Sequence, residues 1–362
     1  MRTCSFVFRF VVAFFAATTV FSCVKSDPEP AQPYDKGVLV LNAGNFFDNN
    51  GTLSLLSKDS KSMASFDVFQ KENGRSLAGG ITDYAEVGEK GFILVDNSTT
   101  GKDAIEIINA RTFKSLATIA GEVENPRRVV KATDSKAYIV CWDAFNADFS
   151  YKIGYVAVLD LNTNKITKKI AVQNGAEDIV VVGNEAFLGN TSFSGQKVLT
   201  VIDISKDEVS QKIEIGAGLK SLVVDNANKI WLILGKEILR FNPQTKTVET
   251  RITAGTHPRK TPSKLTFNKD KTTLFFNYTF DDAADGFKTK GEVYSLNTNE
   301  TTAKQIIARP FVGLGYDPDN NILYSSLIPS YKQSGFVFRY NITGALIDST
   351  KAEIAPSVFF IK

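Results

Sequence analysis

A short strand-and-turn pattern recurs seven times along this chain, and it constrains the fold more than any other feature. In the clearest copy, residues 158–165, apolar residues lead into a turn rich in Asp, Asn and Thr. With the third residue of each copy as a marker, the copies fall at positions 55, 109, 160, 203, 240, 295 and 339. The mean step is about 47 residues, which is typical of one blade of a β-propeller. We therefore predict an all-β, seven-bladed propeller of four-stranded antiparallel blades.

The two ends of the chain predict how the ring closes. Residues 37–42 have the pattern of a second blade strand and are followed by strands at 52–56 and 63–69, so this blade lacks its innermost strand. Residues 356–361 form an apolar strand that remains after the seventh blade is complete. We expect this C-terminal strand to pair with the first blade, because an open inner edge would invite aggregation.

The N-terminus predicts a lipoprotein leader. Residues 1–22 have a basic start and an apolar stretch that is too short to span a bilayer permanently, followed at once by Cys23. This order is typical of a signal peptide whose following cysteine carries lipid, and the alternative is ordinary secretion. Residues 23–36 are rich in Pro and charged residues, which predicts a flexible tether before a propeller at 37–362. We expect a lipid-anchored protein of the outer membrane, exposed at the cell surface.

Charge and cysteine content limit the classes of partner and the ways in which the fold can be stabilised. Without Arg2 and Arg9 of the leader, 40 basic residues face 39 acidic ones, and no basic run could follow a phosphate backbone. Nucleic acid is therefore not expected as a partner. If Cys4 leaves with the leader and Cys23 carries lipid, only Cys141 remains in the folded body. The fold then depends on its core without an intramolecular disulfide.

Loop lengths predict which face of the propeller is used. The turns between first and second strands, and between third and fourth strands, are short and polar. The loops between second and third strands are long in six of the blades, at residues 43–51, 97–103, 142–154, 190–197, 277–291 and 325–335. Blade five is the exception, because residues 235–236 turn directly. The long loops share one face with the links between blades, so we predict that this face binds the ligand.

The long loops also carry many large aromatic residues, which loops usually avoid because exposed apolar area costs free energy. Interleaved polar residues give the mixed lining of a binding site, although some of these aromatics could instead hold the loops onto the blades. Basic residues at the links between blades could contact anionic groups. The predicted ligand-binding residues are Asn45, Phe46, Phe47, Arg75, Arg128, Trp142, Phe145, Phe193, Tyr278, Phe280 and Tyr331.

Two further groups are candidates for metal or catalytic sites. His257 is the single histidine of the chain, and without further His or a Cys pair it cannot build a zinc site of usual composition. Asp281, Asp282 and Asp285 offer oxygen ligands for calcium, but they lack EF-hand spacing, and a solvated acidic loop is the alternative. We predict no resident metal or cofactor and no enzymatic activity.

Several segments resemble a known family. Residues 41–45 (Leu-Asn-Ala-Gly-Asn) with 51–54, residues 73–77 with 104–108, and the repeat at 155–172 are similar to the YncE-like surface lipoproteins of Bacteroidetes. The resemblance covers roughly residues 37–362. It implies a propeller like that of the BtuG-type proteins, which capture cobalamin or related corrinoids above a TonB-dependent transporter. Ala43 differs from the family, which usually has an acidic residue at this position.

The function that follows is nutrient capture. We expect a surface lipoprotein that binds a large, partly apolar ligand and passes it to a TonB-dependent outer-membrane transporter. A corrinoid is the first expectation, and a ferric siderophore or haem is the second. The alternatives are a scaffold that binds another polypeptide through the same face and a propeller enzyme such as a lactonase or lyase.

Overall fold

Seven four-stranded antiparallel sheets make up the part of the chain that this computed structural model describes, residues 30–59, 61–254 and 261–362. Residues Gln32–Lys362 form one compact unit. The sheets are the blades of a propeller, which confirms the predicted fold class. Within each blade the strands follow one another outwards from the central channel.

The first four blades, each given from the innermost strand outwards, have the following bounds. Blade one contains β28 (Pro356–Ile361), β1 (Val38–Asn42), β2 (Thr52–Leu56) and β3 (Met63–Ser65). Blade two contains β4 (Gly80–Val87), β5 (Lys90–Asp96), β6 (Ala104–Asn109) and β7 (Ser115–Ala120). Blade three contains β8 (Pro126–Thr133), β9 (Lys136–Cys141), β10 (Tyr155–Asp160) and β11 (Lys165–Ala171). Blade four contains β12 (Ala176–Val182), β13 (Glu185–Asn190), β14 (Val198–Asp203) and β15 (Glu208–Glu214).

The remaining blades follow the same order. Blade five contains β16 (Leu219–Val224), β17 (Ile230–Leu234), β18 (Glu237–Asn242) and β19 (Thr247–Thr253). Blade six contains β20 (Pro262–Phe267), β21 (Thr273–Asp282), β22 (Lys288–Asn297) and β23 (Lys304–Ile307). Blade seven contains β24 (Leu314–Asp317), β25 (Ile322–Leu327), β26 (Ser334–Asn341) and β27 (Leu346–Ile354). Helical residues are confined, in the described part, to α1 (Val68–Asn73) and two single 3₁₀ turns at Ser192–Ser194 and Ala283–Asp285.

The C-terminal strand closes the ring as predicted. β28 pairs antiparallel with β1 and becomes the innermost strand of blade one. It also contacts blade two, where the rings of Tyr84 and Phe360 meet edge to face at 4.9 Å. The expectation of a strand over 63–69 is wrong in its second half, because β3 ends at Ser65. Asp67 then caps α1 by accepting a hydrogen bond from the Gln70 amide, which turns the chain into a helix.

Burial differs between the strands of a blade and explains the sequence pattern. In blade three, β9 is buried along almost its whole length, whereas β11 is mostly exposed and rich in Lys and Thr. The middle strands pack against the neighbouring blades on both faces, so they are continuously apolar. Phe92 and Ile105 of blade two, for example, share a core with Ile139 of blade three. Burying each such side chain contributes about 1.5–3 kcal/mol, so the contacts between blades stabilise the ring.

The recurring turn of the sequence closes the hairpin between the third and fourth strands. Asp160 accepts hydrogen bonds from the amides of Asn162 and Thr163, both at 2.8 Å, and Asn164 adopts a left-handed conformation with φ of 56°. An equivalent side-chain oxygen accepts from the amide two residues on in five other blades, at Asn109, Asp203, Asn242, Asn297 and Asn341. The sequence markers at 240, 295 and 339 therefore lie two residues before the residue that makes the turn.

The segment just before blade one is docked on blade two. Tyr34 is 1% exposed and its ring meets that of Phe113 at 5.0 Å, while Asp35 forms an ion pair with Arg111 at 2.9 Å. The last residues of the predicted tether at 23–36 thus belong to the folded unit. The leader and Cys23 lie outside the described residues, and their roles stay predictions. No helix in the described part of the chain is long and apolar enough to cross a membrane.

Candidate functional site

The loops between second and third strands define one face of the propeller, which we call the upper face. These loops span residues 43–51, 97–103, 142–154, 191–197, 283–287 and 328–333. Neighbouring loops are bonded to one another: the Asn49 amide group donates to Ser98 Oγ at 2.9 Å, and its oxygen accepts from the Ser98 amide at 2.8 Å. The expected loop at 277–291 is instead a long hairpin, because β21 and β22 remain paired up to Asp282 and Lys288.

A cavity of about 290 Å³ opens where the upper-face loops meet the central channel, and we call it the mouth cavity. Phe46 and Tyr331 line it from two loops and are 45% and 58% exposed. Thr82, Arg127 and Glu177 line it from the starts of three innermost strands. Aromatic faces and charged groups therefore converge on one opening, which is typical of a site for a ligand with both apolar and polar surface.

Arg127 is the centre of the polar wall of the mouth cavity. Its guanidinium lies over the Trp142 ring at 3.9 Å and forms ion pairs with Asp96 at 3.3 Å and Glu177 at 3.5 Å. Trp142 in turn contacts Phe145 and Tyr151 at ring distances of 6.1 and 5.2 Å. The aromatic loop of blade three is thus held against the channel by a cation–π contact.

Unsatisfied polar atoms are concentrated around Arg127. Four of the nine buried side-chain atoms without a hydrogen-bond partner in the described protein lie here: Asp96 Oδ1, Arg127 Nε, Trp142 Nε1 and Glu177 Oε2. Arg127 Nε and Glu177 Oε2 face each other in the ion pair at 3.5 Å, so Asp96 Oδ1 and Trp142 Nε1 are the two that remain without a partner. Buried polar atoms are normally paired, because leaving one unpaired costs about 1–3 kcal/mol. Asp96 lines the mouth cavity, whereas Trp142 adjoins it through its contact with Arg127.

A second cavity of about 430 Å³ continues below the first, along the inner strands, and we call it the channel cavity. Arg128 and Lys264 line both cavities. The Arg128 guanidinium bridges two buried carboxylates, with Nη1 donating to Asp83 at 2.9 Å and Nε donating to Asp178 at 3.0 Å. Asp83 also accepts from the Val129 amide, so the cluster joins blades two, three and four.

The polar residues of the channel come from irregular positions in the innermost strands. In blades two to six the pairing of the first two strands shifts near the upper face, as between Pro126 and Arg128 or between Ala176 and Ile179. A shift of this kind inserts residues that do not follow the strict alternation of a strand. The inserted or adjacent polar pairs are Thr82-Asp83, Arg127-Arg128, Glu177-Asp178, Lys220-Ser221 and Ser263-Lys264.

Burial and charge shift the pKa values of these groups. Burial raises the pKa of Asp96 to about 6. Burial also raises the pKa of Asp83, although the Arg128 charge opposes it. The pKa of Asp178 is lowered, because Arg128 and Lys264 outweigh the effect of burial there. Burial, with Arg128 nearby, lowers the pKa of Lys264. The channel is thus a set of closely coupled charges in poor contact with water.

The structure brings together part of the predicted site. Phe46, Arg128 and Tyr331 line the cavities, and Trp142 and Phe145 adjoin them through Arg127. Asn45 and Phe47 belong to the same loop as Phe46. The Asn45 side chain accepts from the amides of residues 47 and 48 and shapes that loop, and the Phe47 ring lies 5.4 Å from that of Phe46 and is 82% exposed.

Four predicted residues lie elsewhere. Arg75 forms an ion pair with Glu106 at 2.6 Å and covers Phe69, at the outer side of blade two. Tyr278 lies in β21 rather than in a loop, and it is 1% exposed against Phe276 and Tyr294, so it belongs to the core. Phe280 lies in the same strand and is half-buried. Phe193 is 89% exposed on its 3₁₀ turn and does not line either cavity.

Sequence reasoning missed Glu177, Lys264 and Ser357, which line the mouth cavity. Glu177 and Asp178 are adjacent in the sequence, and adjacent residues of a regular strand point to opposite faces, so a regular strand would not bring both to one site. The pairing shift in β12 breaks that alternation, and both residues reach Arg127 and Arg128. A signal was available, because a polar pair opens the first strand of five successive blades.

The acidic residues of blade six are paired within their own hairpin. Asp281 accepts from Thr289, Asp282 contacts Lys290 at 2.7 Å, and Asp285 contacts Lys288 at 3.0 Å. These contacts favour a salt-bridged hairpin over a calcium loop. Across the described ranges there is no group of three or more His, Cys, Asp or Glu residues that could hold a metal ion. His257 lies outside the described residues.

The fold and the cavities define a seven-bladed propeller with a ligand-sized opening on its loop-rich face. Residues 36–353 match the family model described as a domain of unknown function, DUF5074, and the chain belongs to this family. A comparison with curated proteins finds no match.

Solved structures share the fold at low sequence identity. A quinonprotein alcohol dehydrogenase-like protein from Bacteroides thetaiotaomicron is 13% identical with a TM-score of 0.69, over 91% of this chain and 78% of that one. A functionally unknown protein from Desulfotomaculum acetoxidans is 12% identical with a TM-score of 0.66, over 90% and 98%. Hydrazine synthase from Kuenenia stuttgartiensis is 14% identical with a TM-score of 0.60, over 75% and 86%. At these identities the likeness concerns the fold alone.

Proposed function

We propose that this protein is a non-enzymatic binding protein that captures a ligand in the mouth cavity of its upper face. The observation that carries the proposal is the convergence of exposed aromatic rings and charged side chains on one opening. Phe46 and Tyr331 would cover an apolar surface of the ligand. Arg127 and Glu177 would pair with its polar rim.

The size of the site fits part of a large ligand. The mouth cavity of about 290 Å³ is just below the range for small-molecule sites, about 300–1,000 Å³. The channel cavity below it adds about 430 Å³. A bulky ligand would therefore rest on the upper loops and insert one part into the channel. A corrinoid is our first candidate, and a ferric siderophore or haem is the second.

The biological setting that we propose follows from the predicted leader. A protein anchored through Cys23 at the outer membrane could hold a nutrient at the cell surface and pass it to a TonB-dependent transporter. The resemblance to YncE-like surface lipoproteins supports this setting. The upper face, with its exposed loops, would be the side that meets the ligand.

A propeller enzyme is less well supported by the geometry. The two carboxylates at the mouth, Asp96 and Glu177, both face the Arg127 guanidinium. Because one guanidinium holds both of them in ion pairs, the arrangement supports a binding site better than a catalytic acid–base pair. A scaffold function remains the second candidate, because Phe47, Phe149 and Phe193 are 82%, 84% and 89% exposed around the upper face and could contact a polypeptide.

The test is direct binding of the purified protein to cobalamin, haem and a ferric siderophore in equilibrium dialysis. Capture predicts saturable binding of at least one of them. Phe46→Ala and Tyr331→Ala should each weaken it by about tenfold, since each removes an aromatic face worth about 1.4 kcal/mol. Phe66→Ala is the matched control, because Phe66 is 53% exposed after β3 and lines neither cavity. No binding of any of the three, together with stable co-purification of a protein partner, would favour the scaffold.

A further inference from the structure

The polar pairs at the start of the innermost strands place one residue of each blade in a ring around the channel. In blades two to six this ring consists of Asp83, Arg128, Asp178, Ser221 and Lys264. The members are bonded from blade to blade. Asp178 accepts from the Ser221 amide of the next blade, and Ser221 Oγ accepts from the Leu265 amide of the blade after that, at 2.8 Å.

The side chain of Lys264 does not take part in this series of hydrogen bonds between blades. Its ammonium makes no hydrogen bond and no ion pair with any other residue in the described part of the chain. Arg128, by contrast, is bonded to carboxylates on both sides. The carboxylates of Asp83 and Asp178 are themselves occupied by Arg128 and by main-chain amides. Lys264 is therefore a charged group whose own partner is missing from the ring.

The wall that faces Lys264 has no charge of its own. In blades seven and one the channel cavity is lined by Gly315, Tyr316, Ser357 and Val358. Glycine at 315 packs directly against Phe359, since a Cβ there would lie 2.8 Å from Phe359 Cβ. The cavity therefore has Lys264 and the ion-paired Arg128 and Asp178 on one side and uncharged residues on the other. Such a cavity favours an anionic group, which would pair with the Lys264 ammonium.

We propose that the channel cavity is an anion subsite in which Lys264 pairs with a carboxylate or phosphate group. Arg128 lines the same cavity, and each of its Nη atoms has a second N–H that makes no hydrogen bond in the described protein and would be available to an anion. Burial lowers the pKa of Lys264, and an anion beside it would raise that pKa again. If the proposed function holds, the captured ligand has an acidic substituent that pairs with Lys264, and this part of the inference rests on the proposed function. Anion binding at Lys264 can be tested without any such ligand.

Competitive acetylation of the purified protein tests the subsite with inorganic phosphate and succinate as probes. The rate at which acetic anhydride modifies each lysine is followed by mass spectrometry, with potassium chloride at matched ionic strength as the reference. Either probe should slow the modification of Lys264 by about fivefold or more, since ion pairing removes the reactive neutral amine. Lys220 is the internal control, because it is also half-buried and makes no ion pair in the described protein, but it lines neither cavity. Equal rates with both probes and chloride would overturn the proposal.

The outcome separates this inference from the proposed function. Protection of Lys264 by an anion, with no binding of cobalamin, haem or siderophore, supports the subsite and contradicts those candidate ligands. If a large ligand binds and Tyr331→Ala weakens it, Lys264→Met should also weaken it by about tenfold, the loss expected for a charge-assisted pair. Unchanged affinity of Lys264→Met would leave the mouth site standing and refute an acidic group of that ligand in the channel.

Discussion

Replacing Arg128 with methionine removes the cation that joins three blades at the channel. Methionine keeps most of the length and apolar character of the side chain, so the change mainly removes charge and hydrogen bonds. Asp83 and Asp178, which are 4% and 7% exposed, would each keep one main-chain amide as a partner but lose the guanidinium. Removing one partner of a buried ion pair costs about 3–5 kcal/mol, because the other charge stays buried. We expect Arg128→Met to lose about this much free energy of unfolding near neutral pH.

The loss should depend on pH in a defined direction. In the wild type the pKa of Asp178 is lowered, so its ionised form stabilises the fold above the pKa of the unfolded chain, and this contribution is lost as pH falls through the folded value. Without Arg128, burial would raise the pKa of both aspartates. Protonation of the two carboxyl groups at low pH would then remove their buried charges and reduce the destabilisation of the variant. The difference in unfolding free energy between wild type and variant should therefore shrink from about pH 7 to about pH 4.

Urea denaturation followed by circular dichroism at several pH values measures this difference. Arg127→Met is the comparison variant, since its ion pairs, at 3.3 and 3.5 Å, are longer than those of Arg128; we expect it to lose about 1–2 kcal/mol. The triple change Arg128→Met, Asp83→Asn and Asp178→Asn should recover part of the stability, because it removes the buried charges. The reasoning fails if Arg128→Met costs no more than Arg127→Met, or if its cost is the same at low and neutral pH.

Three further predictions concern stability, pH and reactivity. Gly344→Ala should lose about 2 kcal/mol more unfolding free energy than Gly88→Ala, since both glycines have positive φ but only at Gly344 would a Cβ meet a backbone oxygen, at 1.9 Å; equal losses in urea denaturation would contradict this. Burial raises the pKa of Asp103 to about 7, so the stability from its bound proton is lost as pH rises through that value. Unfolding free energy measured between about pH 5 and about pH 8 should fall less steeply in Asp103→Asn than in wild type. Burial also raises the pKa of Cys141 to about 12, so iodoacetamide should modify this thiol only when urea unfolds the protein, and rapid modification of the native protein would refute its burial.

The architecture could be predicted from the sequence because the turns of the propeller are defined by interactions between residues close together in the chain. Turn residues such as Asp160 bond to amides two and three residues away, and this short-range chemistry recurs in the sequence as a repeat. Ring closure was also predictable, since blade one lacked a strand and the C-terminus supplied a spare one. The beginning of α1 was not, because it depends on one left-handed residue, Asp67, within a short segment.

The candidate site could be predicted only in part. Loop length located the upper face, and Phe46 and Tyr331 follow from it. Tyr278 was misplaced because the hairpin of blade six continues as paired strands, and pairing over such a length depends on the neighbouring strand rather than on local residue type. Lys264 was missed because it stands out only by lacking an ion-pair partner in the ring. Whether a lysine has such a partner depends on residues of other blades, which are far away in the sequence.

The affinity of a double variant, Phe46→Ala with Tyr331→Ala, tests the central claim most directly. It is measured by equilibrium dialysis with whichever of cobalamin, haem or ferric siderophore binds the wild type, beside the Phe66→Ala control. Capture at the mouth cavity predicts a loss of about a hundredfold in the double variant, or about 2.8 kcal/mol, with no change in the control. Wild-type affinity in the double variant would contradict the claim that the ligand is bound at this opening.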